Sequence, residues 1–363
     1  MQKLYQLSRY LLPTVFFGYA LLANVVVFQA PAGKIAPLDL SVFKGVVTAS
    51  IDTVYKQSLP HRAAAIGLIG AARYALIGEG RSGVIAGKAG WLFTAEEARA
   101  TPTDLAATLA HIGEIRATLA KAGVNLVLVP VPAKVDVQAE MAMQPALSAQ
   151  TAALYARFLA GLHQQGVKVV ETRTALLALH QSEPAFFATD THWTRAGAIA
   201  VAQAVAASGQ VAIGQNPGTL TEDAAQNFAG DLVSFVTSDA YAASVGLPLE
   251  TVTPYTAGLT AQDAGLGDLF GPATADVILV GTSYSANPNW SFAEALKLSL
   301  RQDVLNFAAV GRGPVQPMRE YLASVSFADA PPKVVIWEFP IRFLTDPQLW
   351  TAPDNQAGAD SAT

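Results

Sequence analysis

Five short apolar runs, spaced by helix-length stretches, constrain the fold of this chain more than any other feature. They begin near residues 126, 167, 277, 304 and 334, and the first and last are stopped by Pro132 and Pro340. Each is apolar along most of its length rather than alternating, so each strand must be covered on both faces. The intervening segments carry helical spacing. In 103–122, Leu105, Leu109, Ile112, Ile115 and Leu119 recur every three or four residues, and Gly123 ends the stretch. Further helices are expected over 147–164, 171–180, 194–203 and beyond (with Thr194 as N-cap), 290–300 and 314–325. Strands alternating with helices in this way predict an α/β fold, a three-layer sandwich with a mostly parallel central sheet.

The N-terminus is built differently. Lys3 and Arg9 precede a run from residue 10 to 32 without formal charge. A helix of about 20 such residues spans a bilayer. The short basic leader favours an N-terminus in the cytoplasm and export of the remainder. A cleaved signal peptide is the rival reading, since Ala30-Pro31-Ala32 offers small residues, although the run is long for that purpose. The expected organisation is an anchor or signal peptide over 1–32 and a juxtamembrane segment over 33–80, with an amphipathic stretch near 43–55. The α/β domain over 81–350 and a flexible tail over 351–363 follow. Residues 83–93 predict a hairpin with Trp91 as a buried anchor. Residues 211–275 lack long periodic stretches and read as an irregular insertion or a cover over a site.

Composition removes several function classes. With 52% hydrophobic and 14% charged residues the chain is not disordered, and a net charge of -5 without a basic tract argues against a nucleic-acid partner. The absence of cysteine excludes disulfides and thiolate chemistry. Five scattered histidines form no zinc spacing, so no metal and no cofactor are expected. Gly311-Arg312-Gly313 follows the fourth strand too loosely for a dinucleotide fingerprint, lacks its third glycine, and reads as a loop at the carboxyl edge of the sheet.

Two short segments carry chemistry. Asp190-Thr191-His192-Trp193 puts a carboxylate and an imidazole just before a helix, and Gly281-Thr282-Ser283-Tyr284-Ser285 puts a serine in a turn after an apolar strand. Neutral serine is a poor nucleophile and needs a base. If the loop before Thr194 turns, Asp190 can orient His192 through Nδ1 and leave Nε2 for Ser283. The rival reading makes Asp190 a helix cap and His192 a satisfied polar group. The turn is not a G-x-S-x-G elbow, so alone it is weak evidence. An oxyanion would be met by backbone N–H groups near Ser283, with Arg312 or Asn306 as side-chain donors. Tyr284 is either a donor or a packing residue.

With these residues in hand, the chain resembles the alginate O-acetyltransferase family of bacterial envelope proteins. The matching pieces are Gly87-Lys88-Ala89-Gly90-Trp91-Leu92-Phe93, Val129-Pro130-Val131-Pro132-Ala133-Lys134, the Asp190–Trp193 motif, Gly230-Asp231-Leu232, the Gly281–Ser285 motif, and Trp337-Glu338-Phe339-Pro340 with Arg342. They occur in order from about residue 60 to 345. The resemblance implies an SGNH-hydrolase-like fold and a serine acyl-enzyme mechanism, with Asp190, His192 and Ser283 as the catalytic residues. It implies a periplasmic protein anchored to the inner membrane, of the short type without a carbohydrate-binding module. A membrane-bound O-acyltransferase would supply the acetyl group. Other proteins of a polysaccharide secretion complex would be neighbours, and a polysaccharide or an acetyl-accepting protein would receive the group. A polysaccharide acetyl esterase and a non-catalytic scaffold are the alternatives.

Overall fold

The computed structural model describes residues 2–29, 35–37, 39–260 and 275–350. The expected tail, the end of the anchor segment and part of the 211–275 segment lie outside the described residues. The strands are β1 (Val84–Ala86), β2 (Leu92–Thr94), β3 (Asn125–Val131), β4 (Lys168–Val169), β5 (Gly218–Glu222), β6 (Gln226–Phe228), β7 (Glu250–Val252), β8 (Tyr255–Leu259), β9 (Val277–Val280), β10 (Val304–Asn306) and β11 (Val334–Pro340). Five of them form a parallel sheet in the order β10-β9-β11-β3-β4. β11 lies at its centre, pairing along its length with β3 and over Val334–Trp337 with β9.

Alternate residues of these strands feed two cores. Leu126, Leu128, Ile278, Val280, Val335, Trp337 and Phe339 face helices Ala106–Lys121, Pro145–Gln164 and Gln316–Leu322. Val127, Val129, Val131, Val277, Leu279, Val334 and Ile336 face helices Thr172–His180, Arg195–Ala207 and Phe292–Leu300. This explains the apolar runs, since both faces of the pleat are covered. The chain thus has the three-layer α/β fold that its sequence predicts.

Several element boundaries differ from expectation for local reasons. Pro288 initiates a 3-10 turn and Ser291 takes a left-handed φ of 52°, so the helix expected from 290 starts at Phe292. The helix expected over 314–325 is two pieces, because the Ser324 hydroxyl accepts from Phe327 N and starts a new turn at Val325. The described part of 211–275 is more regular than expected. β5 pairs with β8 and β6 with β7, one antiparallel pair nested within the other. Its inner loop carries the turn Asp231–Phe235 and the helix Asp239–Ala242. Leu232, Val233, Val236, Ala242 and Leu247 form a third core with Leu92 and with Tyr74 of an unforeseen helix, Arg62–Ile77.

The N-terminal helix runs Gln2–Gln29, and its stretch Arg9–Gln29 is long and apolar enough to cross a membrane. Beyond it, helix Val46–Ser58 packs back along it. Tyr55 donates to Asn24 and meets Phe28 edge-on, and His61 stacks on Tyr19.

Candidate active site

The site forms where β9 ends. Thr282 is the N-cap of a one-turn helix, Ser283–Ala286, and its side chain accepts from Tyr284 N. This turn rests on Glu338, which follows the Trp337–Val280 pairing on β11 and is fully buried. The Glu338 carboxylate accepts from Thr282 N (3.0 Å), Thr282 Oγ1 (3.0 Å) and Ser285 Oγ (2.7 Å). Burial pushes its carboxyl up from the usual range, and these donors oppose that rise. Gly281 is required here by proximity, because a Cβ would lie 2.5 Å from Glu338 Oε2.

Asp190 and His192 come from a tight loop on the neighbouring layer. Phe186 bridges Trp193, Phe187 N donates to His192 O, and Thr194 N donates to Ala185 O. Trp193 is fully buried against Tyr284 and Phe292, and Thr194 caps helix Arg195–Ala207 by accepting from Gly197 N. Trp193 and Thr194 thereby fix the loop at its C-terminal end. Within it Asp190 Oδ1 accepts from His192 Nδ1 at 2.6 Å and from His192 N at 2.9 Å, while Oδ2 accepts from Asp231 N at 2.9 Å. On the other edge of the ring, His192 Nε2 lies 2.8 Å from Ser283 Oγ. Burial raises the Asp190 carboxyl, but the bond to His192, its charge and the two N–H donors outweigh it and hold the group below its ordinary value. The His192 ring stacks on Trp290 at 5.1 Å and packs against Tyr284 at 4.7 Å.

Two buried cations brace this line. Lys134, just past β3, aims its ammonium at three carbonyls: Leu92 (2.6 Å), Ala188 (2.9 Å) and Asp190 (2.9 Å). Burial drives its pKa down to about 8 against the pull of Glu97, Asp190, Glu250 and Asp231. Arg342, just past β11, donates through Nε to Glu96 at 2.9 Å and through Nη1 to the Tyr284 hydroxyl at 3.0 Å. Ser283, His192 and Arg342 open onto a cleft of about 570 Å³ also lined by Ser82, Arg99, Asp231 and Phe235.

Of the residues singled out in the sequence, Asp190, His192 and Ser283 meet in one hydrogen-bonded line. Tyr284 lies beneath it. The phenol donates to Thr191 O and accepts from Arg342, so it does not face the cleft. Asn306 sits behind the turn, donating to Ser285 O and accepting from Ala308 N. Arg312 is exposed and paired with Glu320, outside the cleft lining, because the 311–313 turn directs it toward helix Gln316–Leu322. The arginines that reach the cleft are Arg99 and Arg342, and Arg342 is the one in contact with Tyr284. Glu338, Lys134, Arg342 and Asp231 all stood in recognisable motifs, but their roles depend on contacts between distant segments. Asp190, His192 and Asp231 are a described group with donor atoms within 4.8 Å of one another. Both imidazole nitrogens are already committed, to Asp190 and Ser283. The arrangement is therefore suited to proton transfer from a serine and to acyl transfer.

Comparison with known proteins places the fold in a family. Residues 84–341 match the family model described as an SGNH hydrolase-like domain, acetyltransferase AlgX. The chain is 36% identical over 344 residues to the probable alginate O-acetylase AlgJ of Pseudomonas syringae pv. tomato, covering 93% of this chain and 88% of that one. It is 34% identical over 331 residues to the protein of the same name from Pseudomonas aeruginosa, covering 86% and 83%. Among solved structures, the O-acetyltransferase domain of Pseudomonas putida AlgJ superimposes with a TM-score of 0.62 at 33% identity, over 74% of this chain and 97% of that one. The match over residues 84–341 and the similarity along most of the chain lead to one conclusion: the chain belongs to the AlgX family of SGNH-hydrolase-like acetyltransferases.

Proposed function

We propose that this protein O-acetylates an exported polysaccharide, alginate, through an acetyl-Ser283 intermediate. The observation that carries the reading is the unbroken line from Asp190 through His192 to Ser283, with contacts of 2.6 and 2.8 Å. In the first half-reaction His192 Nε2 takes the Ser283 proton as Oγ attacks the donor's acetyl carbonyl. The imidazolium, held by Asp190, then protonates the departing group. In the second half a sugar hydroxyl gives its proton to His192 and attacks the acetyl ester, and Ser283 leaves with that proton restored. The Ser283 N–H and the free guanidinium N–H groups of Arg342 are the donors we assign to the oxyanion. The names of the relatives support alginate as the acceptor. The apolar N-terminal helix supports a periplasmic domain anchored to the inner membrane, with residues 1–32 as anchor, 33–80 juxtamembrane and 81–350 catalytic. A membrane-bound O-acyltransferase within the alginate machinery is the proposed acetyl supplier.

The test is intact-protein mass after incubation with a small activated acetyl ester. The expected result is one acetyl group on the native chain and none on Ser283→Ala, with transfer to added oligosaccharide outrunning loss to water. Acetyl loss to water at the same rate whatever sugar is present would replace the transferase with an esterase. No adduct on a demonstrably folded chain would remove the catalytic reading.

A further inference from the structure

The turn Asp231–Phe235 is held from two sides, and one of them is the loop that carries Asp190 and His192. Asp231 N donates to Asp190 Oδ2 at 2.9 Å, and Leu232 N donates to Thr189 O at 3.2 Å. The Asp231 carboxylate returns the contact, accepting from Thr191 N at 2.8 Å and from Thr191 Oγ1 at 2.6 Å. Gly230 stands so close that a Cβ there would lie 2.2 Å from Thr189 O. Thr191 is the residue between Asp190 and His192, so the turn grips the loop at its centre. Both nitrogen donors of His192, the backbone N and Nδ1, bond to Asp190 Oδ1, and Oδ2 is left to Asp231. The outer torsion of an aspartate is soft, so a carboxylate tied at one oxygen can swing. The Asp231 N–H ties the other.

The other side of the turn rests on helix Arg62–Ile77, through residues 236–241. Gly67, Gly70 and Ala71 are buried on the helix face that meets it. The fit leaves no room for side chains. A Cβ on Gly70 would lie 2.1 Å from Val236 O, and one on Gly67 would lie 2.5 Å from Ser238 Oγ. Thr237 Oγ1 donates to Gly67 O at 2.7 Å and closes the contact. Just past the helix, Arg81 N donates to Phe235 O at 2.7 Å and the Arg81 guanidinium donates to Ser234 O. Glycines weaken a helix, so two of them on one face are explained by the backbone they admit. Between helix and loop the turn is tightly wound. Val233 N donates to Gly230 O, and Val236 N and Thr237 N both donate to Val233 O. A shift at Val236 is therefore passed to Asp231. None of the helix residues lines the cleft.

We infer that Asp231 is a positioning residue for Asp190, and that helix Arg62–Ile77 is the brace that keeps Asp231 in place. This rests on the reading of Asp190, His192 and Ser283 as the catalytic line. The segment between the N-terminal helix and the α/β layers then carries a working part of the site, without touching a reacting atom. A carboxylate that swings away from Nδ1 leaves the imidazole free to turn, so the loss falls on proton transfer rather than on binding.

The test measures kcat and KM for a small acetyl ester with variants of the full chain in detergent. Gly70→Ala drives the helix and the turn apart, and it is expected to lower kcat about 10- to 100-fold with KM changed less than about twofold. Asp231→Ala, at an exposed position, should lower kcat in the same way. The double variant should be hardly slower than the slower single one, because both changes act through one contact. Gly214→Ala is the control. Its Cβ would lie 2.3 Å from Arg301 O, outside the cleft lining, so it should lose stability in urea without the loss of kcat. Should Gly70→Ala fail to fold, Thr237→Val takes its place, deleting the bond to Gly67 with an expected loss of about threefold in kcat. Proton NMR gives a second readout. The His192 Nδ1–H resonance, assigned by its absence from His192→Gln, should lie far downfield because the bond to Asp190 is 2.6 Å long. It is expected to move in Gly70→Ala and Asp231→Ala and to stay in Gly214→Ala. Native kcat with an unmoved resonance in the folded brace variant overturns the inference. So do single losses that multiply in the double variant, or a kcat loss in Gly214→Ala as large as in Gly70→Ala. If the native chain turns over no ester, the catalytic reading falls, and the resonance alone decides whether the brace holds Asp190.

Discussion

Lys134 touches no reacting atom, yet its three hydrogen bonds tie the Asp190 loop to β2. Replacing it with methionine keeps the length and removes every bond. We expect Lys134→Met to lower kcat about 100-fold with little change in KM, the cost of misplacing a catalytic group by about an ångström. Above pH 8 the neutral amine retains two protons for three carbonyls, so the native enzyme should lose activity on that side of its pH profile. Stability moves the opposite way. The folded chain holds this proton more weakly than the unfolded one, about 8 against 10.5, so raising pH through that window contributes stability. Parallel kcat and denaturant titrations from pH 7 to about 10 check both signs. Gly281→Ala probes the nucleophile turn. Its Cβ would meet the Glu338 carboxylate, and we expect a loss of about 1–3 kcal/mol in urea unfolding together with loss of acetyl uptake. An alanine variant with native stability and native uptake would show that the turn is not pinned as described.

Among the elements, helix Arg195–Ala207 is held at its start by the Thr194 cap, and the same residue ends the acid–base loop. Thr194→Ala is expected to cost about 1 kcal/mol in denaturant unfolding, with a fall in kcat as the loop loosens. Stability lost without any change in kcat would separate the cap from the loop. This cap was legible in the sequence because capping is local. So were the five sheet strands and the helices Ala106–Lys121 and Pro145–Gln164, whose patterns arise from burial on one or both faces. Elements that depend on distant partners were harder to read. The two antiparallel pairs of the cover join residues 218–228 to 250–259, and β5 has no buried face to leave a periodic trace. Helix Arg62–Ile77, apolar all round, offers no single stripe. At the site, Asp190, His192 and Ser283 were legible by residue type and turn context. Glu338 was a charge inside an apolar strand, and its purpose emerges only when β9 lies beside β11. Arg312 was chosen for its place near a strand end, a position that Arg342 fills on a different strand.

For the whole molecule, the N-terminal region and the α/β layers are expected to contribute separable properties. Removing residues 1–34 should leave the rate with a soluble acetyl ester unchanged, because none of the described residues of that segment lines the cleft. The same deletion should abolish acetylation that draws on a membrane-borne donor. Loss of both activities would mean that the N-terminal helix supports the catalytic fold directly. The order of strands carries one more consequence. β11 is the final strand of the described chain yet the middle one of its sheet, and it brings Glu338 beneath the Ser283 turn and Arg342 to the cleft. A nascent chain emerging N-terminus first, from a ribosome or through a translocation pore, holds Asp190, His192 and Ser283 long before it holds their foundation. On the proposed mechanism, chemistry on Ser283 waits for the arrival of residues 334–342, and a product truncated before them is expected to take up no acetyl group.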